Sequence, residues 1–248
     1  MKVAWTWAFL DLPEEGFQES VEWWRGVTRT TVSPWRGERS EFATLLPDRG
    51  DPWLKVQRVG DAGGVHLDLD VAGPLSAARD EAVALGAVVV THLDDVVVCR
   101  SPGGQAFCLC PAGREGGPTH QERTGQPDLL DQACLDVPAD LYPAELSFWS
   151  RLTGWPAQSA GPDESGLLPL RRGEGMPLRL LTQRLGEPTG SVRAHIDLAC
   201  VDRAEQVGLH EARGARVESV HEGWTVMVAP DGRRYCLTER EPVSGLRP

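Results

Sequence analysis

The same strand-like run occurs twice in this chain, and that duplication limits the fold more than any other feature. Residues 64–71 read GVHLDLDV and residues 193–200 read RAHIDLAC. In each, a histidine and an aspartate two positions on project to one side of an extended chain, His66 with Asp68 and His195 with Asp197. The apolar residues between them, Val65, Leu67 and Leu69 or Ala194, Ile196 and Leu198, project to the other side. The flanks repeat too. LDLP at 10–13 answers LDVP at 135–138, and each precedes a helix-like segment carrying a tryptophan, Trp24 or Trp149. SPGGQAFCLC at 101–110 answers APDGRRYCLT at 229–238, and LGAVVV at 85–90 answers RGARVE at 213–218. From His66 to Pro102 the chain advances 36 positions, and from His195 to Pro230 it advances 35. Two homologous halves therefore make up the chain.

A chain of 248 residues suits two domains of ordinary size, each able to bury a core without cross-links. A linker is expected within 111–128, PAGREGGPTHQERTGQPD, which is rich in glycine, proline and charge and has no apolar period. The domains are accordingly placed at 1–120 and 121–248. A net charge of −11 argues against nucleic acid or an anionic membrane as the main partner, because both repel such a surface. No run approaches the roughly 18 apolar residues that span a bilayer. MKVAWTWAFLDLPEE at the N-terminus is interrupted by Asp11 and reads as a first strand rather than a signal. The six cysteines occupy mainly apolar strand positions, so they are expected to be reduced and the protein cytoplasmic.

Periodicity predicts a strand over 4–12, with Trp5, Trp7, Phe9 and Asp11 on one face, then a helix opened by Pro13, Glu14 and Glu15 and carrying Phe17, Val21 and Trp24. Strands follow at 40–47 and 53–59, then GVHLDLDV, a helix over 74–85 ended by Gly86, and strands at 87–91, 96–100 and 106–110. The second half repeats the plan, with helices at about 141–152 and 202–213. The result is an α+β chain of four β-α-β-β-β units.

These motifs resemble those of the vicinal oxygen chelate superfamily, in its glyoxalase-like and bleomycin-resistance-like branch. The resemblance rests on an opening strand ending in Leu-Asp-Leu/Val-Pro, a His-x-Asp-Leu strand, and a closing Pro-Gly turn followed by an aromatic-Cys-Leu strand, each present twice. It implies two tandem glyoxalase-like domains, each of two β-α-β-β-β units whose mixed sheets curl into a cleft. Metal-dependent members hold a divalent ion with His or Gln, Glu, His and Glu from the first, fourth, fifth and eighth strands, and some members bind drugs without metal. Carried over, those positions are Gln132, Gln183, His195 and Cys236 in the second half. In the first half they are Trp7, Gln57, His66 and Cys108.

Glutamate is missing from both sets, so a hard ion loses its negative ligands. Gln132, His195 and Cys236 remain as a ligand set for zinc, with iron, nickel and manganese as the other ions considered. Trp5 and Trp7 stand where the family has polar residues, which favours stacking on an organic ligand. The leading expectation is a small-molecule-binding protein whose ligand meets Trp5, Trp7, His66, Asp68, Gln132, His195 and Asp197. The rival is a metal-dependent lyase, isomerase or dioxygenase working in the second half. A third expectation is a non-catalytic scaffold. A small organic molecule is then the partner, and the chain is either a monomer pairing its own halves or a homodimer.

Overall fold

The computed structural model describes residues 1–60, 63–113, 127–158 and 166–245. The expected linker and the domain boundary near residue 120 fall mostly outside the described residues. In chain order the elements are β1 (Lys2–Pro13), α1 (Phe17–Val27), β2 (Thr30–Val32), β3 (Phe42–Pro47), β4 (Leu54–Val59), β5 (Gly64–Ala72), α2 (Leu75–Ala84), β6 (Val88–Leu93), β7 (Val96–Arg100) and β8 (Ala106–Pro111). The second half gives β9 (Asp128–Val137), α3 (Tyr142–Thr153), β10 (Leu167–Leu170), β11 (Arg179–Arg184), β12 (Arg193–Cys200), α4 (Arg203–Glu211), β13 (Arg216–His221), β14 (Trp224–Val228) and β15 (Arg234–Glu239).

Two features differ from the pattern in the sequence. The short β2 pairs with β3 from Thr30↔Pro47 to Val32↔Leu45, and three residues are too few to show a period. Helix α1 starts at Phe17, after Gly16 with φ +70°, rather than at Pro13, which closes β1. Glu19, not Glu14 or Glu15, supplies negative charge to the first turn.

The strands form an eight-stranded sheet in the order β2-β3-β4-β1-β5-β8-β7-β6 and a seven-stranded sheet in the order β10-β11-β9-β12-β15-β14-β13. Both are mixed. β5 runs parallel to β8 and β12 parallel to β15, whereas the hairpins β6-β7 and β13-β14 are antiparallel. No helix among the described residues is long and apolar enough to cross a membrane.

By compactness the chain divides differently from its sequence halves. One unit comprises residues 1–9, 65–118 and 133–194, and the other 10–64, 119–132 and 195–248. Each unit thus combines segments from both halves. In the first, Phe107 of β8 packs against Phe148 and Trp149 of α3, at 5.7 and 5.3 Å between ring centroids. The Trp149 indole N–H donates to Glu145 Oε2 at 2.8 Å, and the Gly103 amide donates to Oε1 of the same carboxylate. Glu145 is fully buried, and its desolvation raises its pKa against the opposing effect of these donors. In the second unit Trp24 of α1 packs against Tyr235 of β15 at 5.4 Å and donates to Asp231 Oδ2 at 3.0 Å. The same device, a helix tryptophan joined to a turn near a Pro-Gly motif by an acid, therefore recurs in both units.

The second unit also contains a buried polar cluster. His210 Nδ1 lies 2.8 Å from the Tyr235 hydroxyl and its Nε2 lies 3.8 Å from Asp128 Oδ2, while Arg29 donates to Asp128 Oδ1. Burial lowers the His210 pKa to about 4 from 6.5, and the cations Arg29 and Arg213 add to the effect.

Two measurements follow. At Gly63, with φ +71°, an added Cβ would lie 1.9 Å from the Asp11 carbonyl oxygen, which also accepts from Arg233 Nη2 at 2.5 Å. Gly63→Ala is expected to destabilise the protein by more than about 2 kcal/mol in urea unfolding. His210 contributes stability in full above its unfolded pKa of 6.5, and the contribution falls as pH drops toward the folded value of about 4. Between pH 7 and pH 4 the wild type is therefore expected to lose about 3 kcal/mol more than His210→Asn, measured by paired denaturation curves.

Candidate functional site

β5 and β12 differ from ordinary half-buried strands because their polar faces are internal. On β5, Leu67 and Leu69 have no exposure, yet His66, Asp68 and Asp70 on the opposite face are also buried. On β12, Asp197 is as buried as its neighbours Ile196 and Leu198. Buried carboxylates need donors or cations, so each polar face has acquired its own network.

Parallel pairing supplies the first partner. Asp68 lies opposite Cys108 on β8, and Asp197 lies opposite Cys236 on β15. The histidine two residues before each aspartate leans along the strand onto it. His195 Nε2 is 3.3 Å from Asp197 Oδ1, and His66 Nε2 is 3.5 Å from Asp68 Oδ1. The spacing of about 7 Å between alternate residues of a strand is thus closed by side-chain rotation. Cys236 Sγ completes the second cluster at 3.6 Å from His195 Nε2. In each half the His nitrogen, the Asp oxygen and the Cys sulphur all lie within 4.8 Å of one another.

The second half surrounds its cluster with further polar groups. Gln132 on β9 donates through Nε2 to Asp197 Oδ2 at 2.5 Å, and its Oε1 accepts from Arg240 Nη1 at 3.1 Å. Arg240 Nη2 also donates to Asp131 Oδ1 at 2.5 Å. Burial alone would raise the Asp197 pKa, but His195, Arg240 and Gln132 together hold it below the usual carboxylate range. Desolvation would lower the Arg240 pKa, but Asp131 and Asp197 hold it above the ordinary value. Asp131 and Arg240 were not indicated by the repeat, since both lie outside the His-x-Asp and aromatic-Cys-Leu motifs.

The first half uses different groups. The Trp7 indole N–H donates to Asp70 Oδ2 at 3.1 Å, Cys110 Sγ donates to Asp68 Oδ2 at 3.8 Å, and Phe9 stacks on the His66 ring at 4.4 Å. Trp5 meets Trp7 edge-on at 6.4 Å, and both are buried. Cys110, two residues after Cys108 and on the same strand face, was legible from alternation alone. Gln183 accepts from Cys134 Sγ at 3.9 Å in the unit that does not contain His195, and Gln57 likewise lies in the unit that does not contain His66.

This geometry is not that of a nucleophile with its base. In a nucleophilic triad, the base faces the nucleophile with one ring nitrogen and its orienting acid with the other. Here Cys236 and Asp197 both crowd Nε2 of His195. Burial and the nearby aspartate also raise both thiols, Cys108 and Cys236, to about 11. His195, Asp197 and Cys236 could together hold a divalent ion, as could His66, Asp68 and Cys108, and Asp197 Oδ1 faces His195 Nε2. Gln132, expected among the ligands, instead has its oxygen engaged by Arg240 and its nitrogen by Asp197.

At pH 8, in chelator-treated protein, alkylation of Cys108 and Cys236 by iodoacetamide is expected to be roughly 100-fold slower than that of a free cysteine. Peptide mass spectrometry reads the rates, and unfolding in urea should remove the difference.

Comparison with known proteins places the fold. A model of the glyoxalase-like domain matches residues 7–110 and again 132–238. Two mycobacterial proteins named peptide deformylase, from Mycobacterium sp. strains JLS and MCS, are each 27% identical over 196 residues, covering 71% of this chain and 87% of theirs. Among solved structures, the Mn(II)-bound glyoxalase from Novosphingobium aromaticivorans aligns with a TM-score of 0.62 at 14% identity, covering 99% of this chain and 83% of that one. A catechol 2,3-dioxygenase aligns at 0.62 and 14%, covering 96% and 88%. The 2,2′,3-trihydroxybiphenyl 1,2-dioxygenase of Sphingomonas wittichii strain RW1 aligns at 0.61 and 16%, covering 96% and 89%.

Proposed function

This chain belongs to the glyoxalase-like domain family, carrying the domain twice, and from that premise we propose that it binds a small organic molecule at the polar face of β12. One observation carries this reading. His195 is the partly exposed end, at 15% of its side chain, of a polar chain whose other members, Gln132 and Asp197, are buried and held by Arg240. Such a chain fixes the orientation of the imidazole, so little order remains to be lost when a ligand oxygen meets it. Asp197 holds the ring and Gln132 holds Asp197. In the first half, Trp5 and Trp7 with His66 and Asp68 form the corresponding aromatic and polar surface. The ligand is of the oxygen-bearing kind, a carbonyl compound, a phenol or a carboxylic acid, because imidazole and a nearby guanidinium both favour oxygen acceptors.

A catalytic reading, as a lyase, isomerase or dioxygenase centred on the second half, is favoured by the convergence of His195, Asp197 and Cys236. A bound divalent ion would supply Lewis-acid stabilisation of negative charge on a substrate oxygen. The residues of this chain would do the rest, with Gln132 and Arg240 fixing Asp197 and His195 fixed in turn. A cytoplasmic location and self-contained pairing of the two halves belong to the same proposal.

Calorimetric titration with a panel of aldehydes, phenols and carboxylic acids tests it. At least one compound is expected to bind, and His195→Ala to weaken it about tenfold or more, equivalent to one charge-assisted hydrogen bond, with the melting temperature little changed. Absence of binding across the panel, or equal affinity in His195→Ala, would overturn the proposal.

A further inference from the structure

The two sheets end in strands that share a backbone and differ in side chains. Among the described residues, β6 closes one side of the eight-stranded sheet and β13 one side of the seven-stranded sheet, bonded to β7 and to β14 respectively. Each pairs with its neighbour antiparallel and carries a register shift at the same place, between Val89 and Thr91 or between Val217 and Ser219. β13 reads RVESVH, and its Glu218 is held by Arg234 of β15 through two hydrogen bonds of 2.6 and 2.9 Å. β6 reads VVVTHL, with no acid, lysine or arginine. The repeat sets Val88 at the place of Arg216, Val90 at the place of Glu218 and Ala106 at the place of Arg234.

An edge strand resists pairing with another chain when it carries charge, as β13 does. β6 lacks that protection. All six of its residues are exposed, and Val88, Val90 and Leu93 each keep more than half of their surface in water. With Val89, and with Val83 of α2, they make up five of the nine large apolar side chains left exposed among the described residues, so the apolar surface is one patch rather than a scatter. Charge sits at the two ends of this patch. Asp94 and Asp95 form the turn after Leu93, and Arg100 of β7 stands across from Val88, all three exposed. A parallel neighbour of the same kind would set acid beside acid, whereas an antiparallel one sets the acids of each strand beside the arginine of the other.

We propose that two copies of this chain associate through β6, paired antiparallel about a two-fold axis, so that two eight-stranded sheets continue into each other. The outward N–H and C=O groups of β6 supply the ladder, and the valines and Leu93 exclude water from both of its faces. Centred between Val90 and Thr91, the pairing sets Val88 against Leu93 of the second copy. A ladder of this length spans about 20 Å, and the register shift at Val90 shortens it, so the interface lies near the low end for stable complexes, about 1,200 Å² in total, and the dimer is of micromolar affinity. The contact uses no residue of the β12 ligand site, so the two readings stand or fall separately.

Sedimentation equilibrium over about 1–200 μM protein tests the proposal. The wild type is expected to pass reversibly from monomer to dimer. Val88→Arg combined with Val90→Glu gives β6 the charges that β13 carries at the same places, and should weaken association by about 30-fold or more. Val220→Lys, on the exposed edge of the other sheet, should leave it unchanged. Arg100→Asp and Asp95→Arg should each weaken the dimer severalfold, and the two together should restore it. Hydrogen exchange of wild-type peptides covering 88–93 should slow as the concentration crosses the transition, and this measurement decides the matter if the double variant does not fold by circular dichroism. A monomer over the whole range, a dimer that survives the double variant intact, equal disruption by Val220→Lys, or 88–93 amides that exchange equally fast in monomer and dimer would overturn the proposal. Failure of the combined charge variant to recover would overturn the antiparallel arrangement.

Discussion

Burial of both faces of β5 and β12 is the constraint from which the rest of the site follows. A strand with one face in water can leave polar side chains to solvent. These strands cannot, because His66, Asp68, Asp70 and Asp197 are all removed from it. Each carboxylate must be matched inside the protein or raise its pKa until it is neutral. The two strands meet the demand locally, by a histidine two residues earlier, and across the sheet, by a cysteine on a parallel neighbour. A polar site is therefore built into the middle of each sheet rather than added to a loop.

The halves diverge at the next layer. In the second, Gln132, Arg240 and Asp131 extend the network through charge-assisted hydrogen bonds, which hold Asp197 ionised despite its burial. In the first, the position answering Gln132 is Trp7, whose indole N–H is satisfied by Asp70. An indole donates one hydrogen bond and accepts none, so it cannot relay a contact as an amide does. The first half is consequently the more apolar and aromatic of the two, and the second carries a buried guanidinium.

Compactness cuts across the duplication. Trp149 packs on Phe107 and Trp24 packs on Tyr235, so each unit joins a helix from one half to a strand from the other. Acidic residues mark these joints, with Glu145 receiving the Gly103 amide and Asp231 receiving the Trp24 indole. Such buried, directional contacts fix which helix meets which turn, in addition to the apolar area they cover.

The repeated motif was enough to determine the α+β class, the tandem plan and nearly every element, because alternation and helical spacing are local properties that survive in a single chain. It also marked His66, Asp68, His195, Asp197, Cys108 and Cys236, since their types recur in register. What the sequence could not determine was which atoms meet. The His-to-Asp approach depends on rotamers set by packing on the internal face. Arg240 reaches Gln132 across 108 positions, and Cys110 reaches Asp68 across 42. Those partners follow from strand order and register, and only the folded sheets set them.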